Sequence, residues 1–393
     1  MQSVSRRGFV GTLTAASANR VLGANNRIRL GVIGSGGRGR YLMTNAMKSN
    51  PADIQWVAVA DAYDVQCQQA EKAAGTSVAK YADYRRVLDH KDIDAVIIAT
   101  WDHVHCRIAV EACQAGKDLY VEKPLNLHPM EGHQIVRAVR QHKRILQTGT
   151  QQRSYPHFIE AKQRFFDTGA IGKVTMVRTI WNGNGAYRNQ APPPGYEQKP
   201  AGLDWHLCQG DLPKVSWNPK RYFNHYVYWD YSTNAQMGGL FVHMIDVVHH
   251  YCGVLEPLAA MCMGGIYLGV EDRDTADHIN AIVEYPGGLL VTFEANVADM
   301  LRRDSEDMVF MGTGGRLHIF RWGYRFYPAD GGPPVEAERT PEIHVANWLE
   351  CLRTRKPPRC DEVAGHYSAM ACHICNISYK EKRRVEWRRE WSL

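Results

Sequence analysis

Two hydrophobic periods divide the chain. From Ile28 onward, short apolar runs at Ile28–Ile33, Ile54–Ala60, Ala95–Ala99, Leu119–Val121 and Ile145–Gln147 predict strands, and helical periodicity fills most of the gaps, as at Arg107–Ala115 and Met130–His142. Regular alternation of such strands with amphipathic helices predicts a parallel, doubly wound α/β sheet. Past residue 150 the period falls to two, at Val174–Ile180, His278–Tyr285 and Leu289–Ala295, the last two joined by the hairpin signal Pro286-Gly287-Gly288. A half-buried, mainly antiparallel sheet is expected there. Helical segments near Pro341–Arg353 and Ser368–Lys380 are expected to dock back toward the first domain. The predicted division is residues 27–149, 150–340 and 341–393, preceded by a distinct segment, 1–26.

The first turn carries chemistry. Gly34-Ser35-Gly36-Gly37-Arg38-Gly39 follows the first predicted strand directly and opens an apolar-periodic helix. In this G-x-G-x-x-G pattern the first glycine allows a tight turn, the second lets backbone approach a pyrophosphate, and the third lets helix pack on strand. The helix N-terminus offers unpaired N–H groups to the phosphates. The second predicted strand ends at Asp61, about where an acid grips the adenosine ribose; an acid there favours NAD over NADP.

Composition narrows the class. At 393 residues two domains are natural, and 45% hydrophobic with 22% charged residues is ordinary for a globular chain. No apolar run approaches the roughly 18 residues of a membrane span. The net charge of +6 is concentrated in residues 1–26 and 380–391, leaving a near-neutral body, so a nucleic-acid-binding face is not expected. The ten cysteines show no disulfide framework. Cys372 and Cys375 flank His373 without a second ligand pair, so buried thiols are expected rather than zinc.

At the N-terminus, Ser5-Arg6-Arg7-Gly8-Phe9-Val10 resembles a twin-arginine signal, followed by two segments that suit cleavage, Ala16-Ser17-Ala18 and Val21-Leu22-Gly23. The resemblance implies the twin-arginine translocase as a partner and a periplasmic or otherwise extracytoplasmic destination, reached already folded.

Three further stretches resemble the glucose–fructose oxidoreductase/inositol dehydrogenase/MocA family. They are Ala99-Thr100-Trp101-Asp102-His103-Val104-His105, in which Trp101 replaces the usual proline, Glu122-Lys123-Pro124, and Gly149-Thr150-Gln151-Gln152-Arg153. The resemblance implies a Rossmann dinucleotide-binding domain followed by an α+β domain with an open sheet, an NAD-dependent sugar oxidoreductase, and a homo-oligomer, dimer or tetramer. For the cofactor it implies Gly34, Ser35, Gly36, Gly37, Arg38, Gly39, Asp61, Thr100, Trp101, His103, His105, Glu122, Lys123 and Gln151. Lys123, at a strand end where open α/β sheets bind ligands, would hold the reacting oxygen. His243, in Gly238-Gly239-Leu240-Phe241-Val242-His243, resembles the family's catalytic base, near neutrality by nature. The family's aspartate four residues earlier is Gly239 here, and Asp246 is expected to orient the imidazole in part.

A long segment from Trp181 to Trp229, rich in Trp, Tyr, Pro and Gly, is expected to be functional, its aromatics either facing a sugar or pinning the loop. Arg153, Asn182, Tyr187 and Arg221 join Lys123, His243 and Gln151 as substrate candidates. His243, Asp246, His249 and His250 do not have the count or pattern of a metal site, so no metal is expected. Two other functions remain on the same fold. One is a redox-neutral, NAD-dependent glycosidase, whose His-Gly-Leu-Gly stretch is missing here; the other is a non-catalytic, dinucleotide-dependent sugar-binding protein.

Overall fold

A computed structural model describes residues 27–49, 51–183, 191–268, 272–298 and 307–393. The signal-like segment and Tyr187 lie outside these.

The first sheet is built from β1 (Ile28–Ile33), β2 (Ile54–Ala60), β3 (Ala79–Tyr81), β4 (Ala95–Ile98), β5 (Asp118–Val121) and β6 (Leu146–Thr148). Its order is β3-β2-β1-β4-β5-β6, and every pair is parallel. The helices between strands are α1 (Gly37–Ser49), α2 (Asp64–Ala74), α3 (Arg85–Leu88), α4 (His105–Gln114) and α5 (Glu131–His142). β4 and β5 are buried at every position, as continuous apolar runs in a doubly wound sheet should be. Strand order reverses between β1 and β4, and the crevice beyond their C-terminal ends is where such sheets bind ligands. β3 was not legible, because three residues, Ala-Lys-Tyr, carry no period.

The second domain contains α6 (Pro156–Ala161), β7 (Val174–Ile180), α7 (Trp205–Cys208), α8 (Pro219–Phe223) and α9 (Val242–Cys252). Then come β8 (Ala259–Gly265), β9 (His278–Tyr285), β10 (Leu289–Asn296), β11 (Asp307–Gly312), β12 (Gly315–Phe320), β13 (Gly323–Pro328) and β14 (Val335–Glu338). The chain closes with α10 (His344–Thr354), α11 (Glu362–Glu381) and the short β15 (Val385–Glu386). The nine-stranded sheet runs β14-β13-β12-β11-β7-β10-β9-β8-β15 and is antiparallel except for the parallel pair β7–β10. It is therefore mixed, mainly antiparallel. β9 alternates buried and exposed residues along its length, and its inward side packs under α9 and α11. The β9–β10 turn holds Gly287 and Gly288 at φ 79° and 78°, backbone that glycine adopts without Cβ strain.

The C-terminal segment ties the halves together. α10 buries Trp348, Leu349 and Leu352 in the core that contains Leu42 and Met43 of α1. α11 is capped by Asp361, whose side chain accepts from the Ala364 N–H at 2.9 Å. It packs on α9, β8 and α5, so it belongs to both domains. No helix among the described residues is long and apolar enough to cross a membrane.

Candidate active site

The site begins at the glycine turn. Gly34 sits at φ 82°, and a Cβ there would lie 2.6 Å from the Ala99 carbonyl, so the crossing at the switch point tolerates no side chain. A Cβ on Gly39 would fall 2.2 Å from the Gly34 carbonyl oxygen, whereas Gly36 and Gly37 face open space. These are the conditions a diphosphate needs: backbone exposed at Gly36, with the N-terminus of α1 behind it. A nicotinamide dinucleotide fits this turn.

Asp61 ends β2 beside the turn. Its carboxylate accepts from the Ser35 N–H at 2.9 Å and the Tyr63 N–H at 3.0 Å. Burial pushes its carboxyl up to about 6, against those two hydrogen bonds and the charge of Arg40. Arg40 braces the turn by donating to the Ser35 carbonyl at 2.8 Å.

A cleft of about 490 Å3 opens in front of the turn. Gly34, Gly36, Asp61, Thr100 and Trp101 form one wall; Asp204, Leu207, Cys208, Lys214 and Tyr222 form the other. The second wall is the long segment flagged in the sequence, and it crosses the first domain as a strap. Leu203 pairs with Tyr63 in an antiparallel bridge. The Asp204 N–H donates to Ala62 O at 2.7 Å, and Asp64 N–H to Gly202 O at 3.1 Å. Arg107 pairs with Asp211, and the His103 ring meets the Cys208 carbonyl at 3.1 Å. Trp101 stacks on His225 at 4.5 Å and 12°, and meets Trp205, Tyr222 and Tyr231 edge-on. Of the two roles expected for the loop's aromatics, this cluster shows the pinning one.

The second half of the site lies past β5. Glu122 is buried and ion-paired with Arg38 at 2.6 Å, and also accepts from the Lys123 N–H at 3.1 Å. His105 is fully buried and bridges the carbonyls of Pro124, at 2.9 Å, and Thr100, at 3.1 Å, holding the two strand-end loops together. The Lys123 ammonium donates to the carbonyl of Gly239 at 3.0 Å. Gly239 lies in a π-helical stretch, Asn234–Phe241, that runs directly into α9 and His243. Lys123 thus reaches across the domain boundary to the residue four positions before His243.

His243 is 4% exposed, and its Nδ1 has no hydrogen-bond partner. Its ring packs at 5.8 Å against Trp181, over which the Arg321 guanidinium lies at 5.2 Å. Burial, and then the charges of Lys123, Arg321 and Arg38, hold the imidazole well below its usual pKa, so it is neutral. A neutral, buried imidazole with an unused nitrogen is suited to take a proton.

Several expected roles are corrected. Asp246 does not orient His243: its carboxylate pairs with Arg153 at 2.6 Å and accepts from Ser368 at 2.9 Å. The same pair takes Arg153 out of the substrate set, since its other nitrogens bond the carbonyls of Asp246 and Arg359. Arg221 pairs with Asp230 at 2.8 Å and lies over Tyr228, within the strap. Asn182 staples β7 to β10, donating to Glu294 at 2.9 Å and accepting from the Asn296 N–H at 3.0 Å. Gln151 is buried near the domain crossing, its side-chain oxygen without a hydrogen-bond partner. The cysteines are all free, and the Cys372 thiol bonds the Met237 carbonyl. Among the described residues no cluster of three or more His, Cys, Asp or Glu is placed to hold a metal.

Asp102 was missed as an individual residue, although it stands within the Ala99–His105 motif. Its carboxylate accepts from the Thr233 N–H at 3.2 Å, at the start of the π-helical stretch. Burial raises its carboxyl pKa, and His105 and Lys123 draw it back.

Residues 28–150 match the model of an oxidoreductase family with an NAD-binding Rossmann fold. An inositol 2-dehydrogenase of Rhizobium meliloti is 32% identical over 176 residues, 45% of this chain and 50% of that protein. The NAD(+)-dependent scyllo-inositol 2-dehydrogenase of Bacillus subtilis is 32% identical over 170 residues, 43% of this chain and 47% of its own length. The chain thus spans about half the length of these curated relatives. Solved structures share the whole architecture. Levoglucosan dehydrogenase with NADH and L-sorbose superposes with a TM-score of 0.74 at 18% identity, over 92% of this chain and 99% of that one. The Bordetella pertussis WlbA dehydrogenase with NADH and UDP-GlcNAcA gives 0.69 at 18%, over 92% and 99%. Residues 28–150 are thus similar to the NAD-binding Rossmann domain of the glucose–fructose oxidoreductase/inositol dehydrogenase/MocA oxidoreductase family.

Proposed function

We propose that this protein is an NAD-dependent dehydrogenase of a sugar or cyclic polyol. The observation that carries the reading is that Lys123 bonds to the Gly239 carbonyl, four residues before His243, and that its charge acts on the His243 imidazole. Gly34, Gly36, Gly39 and the N-terminus of α1 would hold the diphosphate, and Asp61 the adenosine ribose. The bound nicotinamide supplies a hydride acceptor. Neutral His243 takes the hydroxyl proton, and the Lys123 ammonium stabilises negative charge growing on the oxygen. Asp61 supports NAD over NADP as the nucleotide used. Export by the twin-arginine route is part of the proposal, resting on Ser5–Val10 alone.

The test is nucleotide reduction by the purified, NAD-loaded protein against a panel of sugars, polyols and glycosides. Reduced nicotinamide should accumulate with at least one sugar. His243→Ala should lower kcat by about 100-fold or more, the usual share of a general base, with dinucleotide affinity retained. Release of a glycoside's leaving group without net reduction would instead support the redox-neutral glycosidase.

A further inference from the structure

The π-helical stretch Asn234–Phe241 leads directly into His243, and its entry is the strained part. Asn234 sits at φ 68° although it carries a side chain, and its Oδ1 accepts from the Gln236 N–H at 3.1 Å. A non-glycine residue in the left-handed region persists where its surroundings hold it. Part of that hold comes from outside the stretch. Thr233, the residue before, offers its carbonyl to Nδ2 of Asn376, in α11, at 2.8 Å. Its N–H and its hydroxyl both donate to Asp102 Oδ2, at 3.2 and 3.4 Å, and Asp102 belongs to the first domain.

Asp102 differs from its neighbours in where it faces. Ala99, Thr100, Trp101, His103 and Val104 all line the dinucleotide cleft, and Asp102 does not. Its carboxylate is turned to the second domain instead. Lys123 grips the same stretch near its other end, through the Gly239 carbonyl at 3.0 Å. Between the two grips the fit is close. A Cβ on Gly238 would fall 1.5 Å from Thr233 Oγ1 and 3.1 Å from Cγ of Pro124, the residue after Lys123. The first domain therefore clamps the approach to His243 at two points, one acidic and one basic.

We propose that Asp102 is a positioning residue: by accepting from Thr233 it fixes the π-helical turn that presents the Gly239 carbonyl to Lys123 and carries His243. This rests on the dehydrogenase reading and adds to it a residue that acts through others. A displaced turn moves the lysine's anchor and the histidine together, so the loss falls on kcat rather than on nucleotide binding.

The experiment compares Asp102→Ala, which removes the acceptor, with Asp102→Asn, whose amide oxygen still accepts from Thr233. Both are followed on the NAD-loaded protein by sugar-dependent nucleotide reduction, by NADH affinity and by hydrogen exchange over residues 233–243. Asp102→Ala should lower kcat about tenfold or more, keep NADH affinity within about twofold, and speed exchange over that segment. Asp102→Asn should restore most of kcat and the native exchange. An unchanged kcat in Asp102→Ala, or an Asp102→Asn as slow as Asp102→Ala, would overturn the proposal while leaving a dehydrogenase. Should Asp102→Ala not fold, Thr233→Val, which removes only the hydroxyl, should still lower kcat severalfold, and no loss there would overturn the proposal. If no sugar reduces the nucleotide in the unmodified protein, the dehydrogenase reading fails, and exchange alone decides on the clamp. Faster exchange in Asp102→Ala but not in Asp102→Asn would then support it, and no difference would reject it.

Discussion

Two buried histidine and carboxylate environments set what individual residues do here. His243 is kept neutral by burial and by three nearby cations. A solvent-exposed histidine is half protonated near its reference value of about 6.5 and loses base function as pH falls through it. Because the His243 pKa is depressed, its neutral form persists below that point. kcat/KM for oxidation should accordingly stay flat from about pH 8 to about pH 6, with no inflection at 6.5, in an initial-rate pH profile. A midpoint near 6.5 that vanishes in His243→Gln would show an exposed, ordinary imidazole instead. Arg153 and Asp246 behave differently, because they face each other at 2.6 Å in the interior. Removing one partner strands a buried charge, which costs about 3–5 kcal/mol. Arg153→Met should therefore lower Tm by several degrees in calorimetry, while Arg221→Met, which breaks a half-exposed pair, should change it little. These two arginines looked alike in the sequence. Only the long-range partners, Asp246 in one case and Asp230 in the other, separate a core ion pair from a strap contact.

At the scale of elements, the strap from Leu203 to Tyr231 distinguishes this dinucleotide domain from a bare one. It turns an open crevice into a two-walled cleft, fastened by backbone hydrogen bonds at Ala62 and Asp64 and by the stack of Trp101 on His225. Release of a dinucleotide from the glycine turn is therefore expected to follow movement of that wall. Trp101→Ala removes the aromatic hub, and NADH release measured by stopped-flow fluorescence should become about tenfold faster or more, the equivalent of one lost aromatic contact. An unchanged release rate would show that the strap does not gate the nucleotide. The strap was visible in the sequence as a long aromatic loop, but its position was not, since nothing local says that Asp204 pairs with Ala62. The glycine turn and the strand end at Glu122-Lys123-Pro124 were legible as places in the fold because their backbone settings depend on neighbours a few residues away: a strand before, a helix or a bend after. β3 escaped because the parallel bridge to β2, rather than its own composition, makes Ala79–Tyr81 a strand. The parallel pairing of β7 with β10 was hidden for the same reason, as alternation shows a strand's faces and not its partner.

Across the whole molecule, the two sheets and the C-terminal helices place groups from distant segments on one axis. The glycine turn at one end of that axis and His243 at the other are separated by more than 200 residues of sequence, and Lys123 bridges the domains by bonding to Gly239. Here the Gly239 backbone carbonyl meets the lysine, at the position where the family resemblance leads one to expect an aspartate. That exchange was readable as a departure, but its consequence was not, because it depends on the π-helical turn that points the Gly239 carbonyl outward. For the molecule as a unit, the proposed function requires a nicotinamide ring where these two domains meet. A crystal structure of the protein with NADH tests it directly. The account predicts the diphosphate over the Gly36 backbone, beneath the strap, and the nicotinamide ring between Lys123 and His243. A nicotinamide bound elsewhere, or a dinucleotide that does not enter the cleft at all, would contradict it.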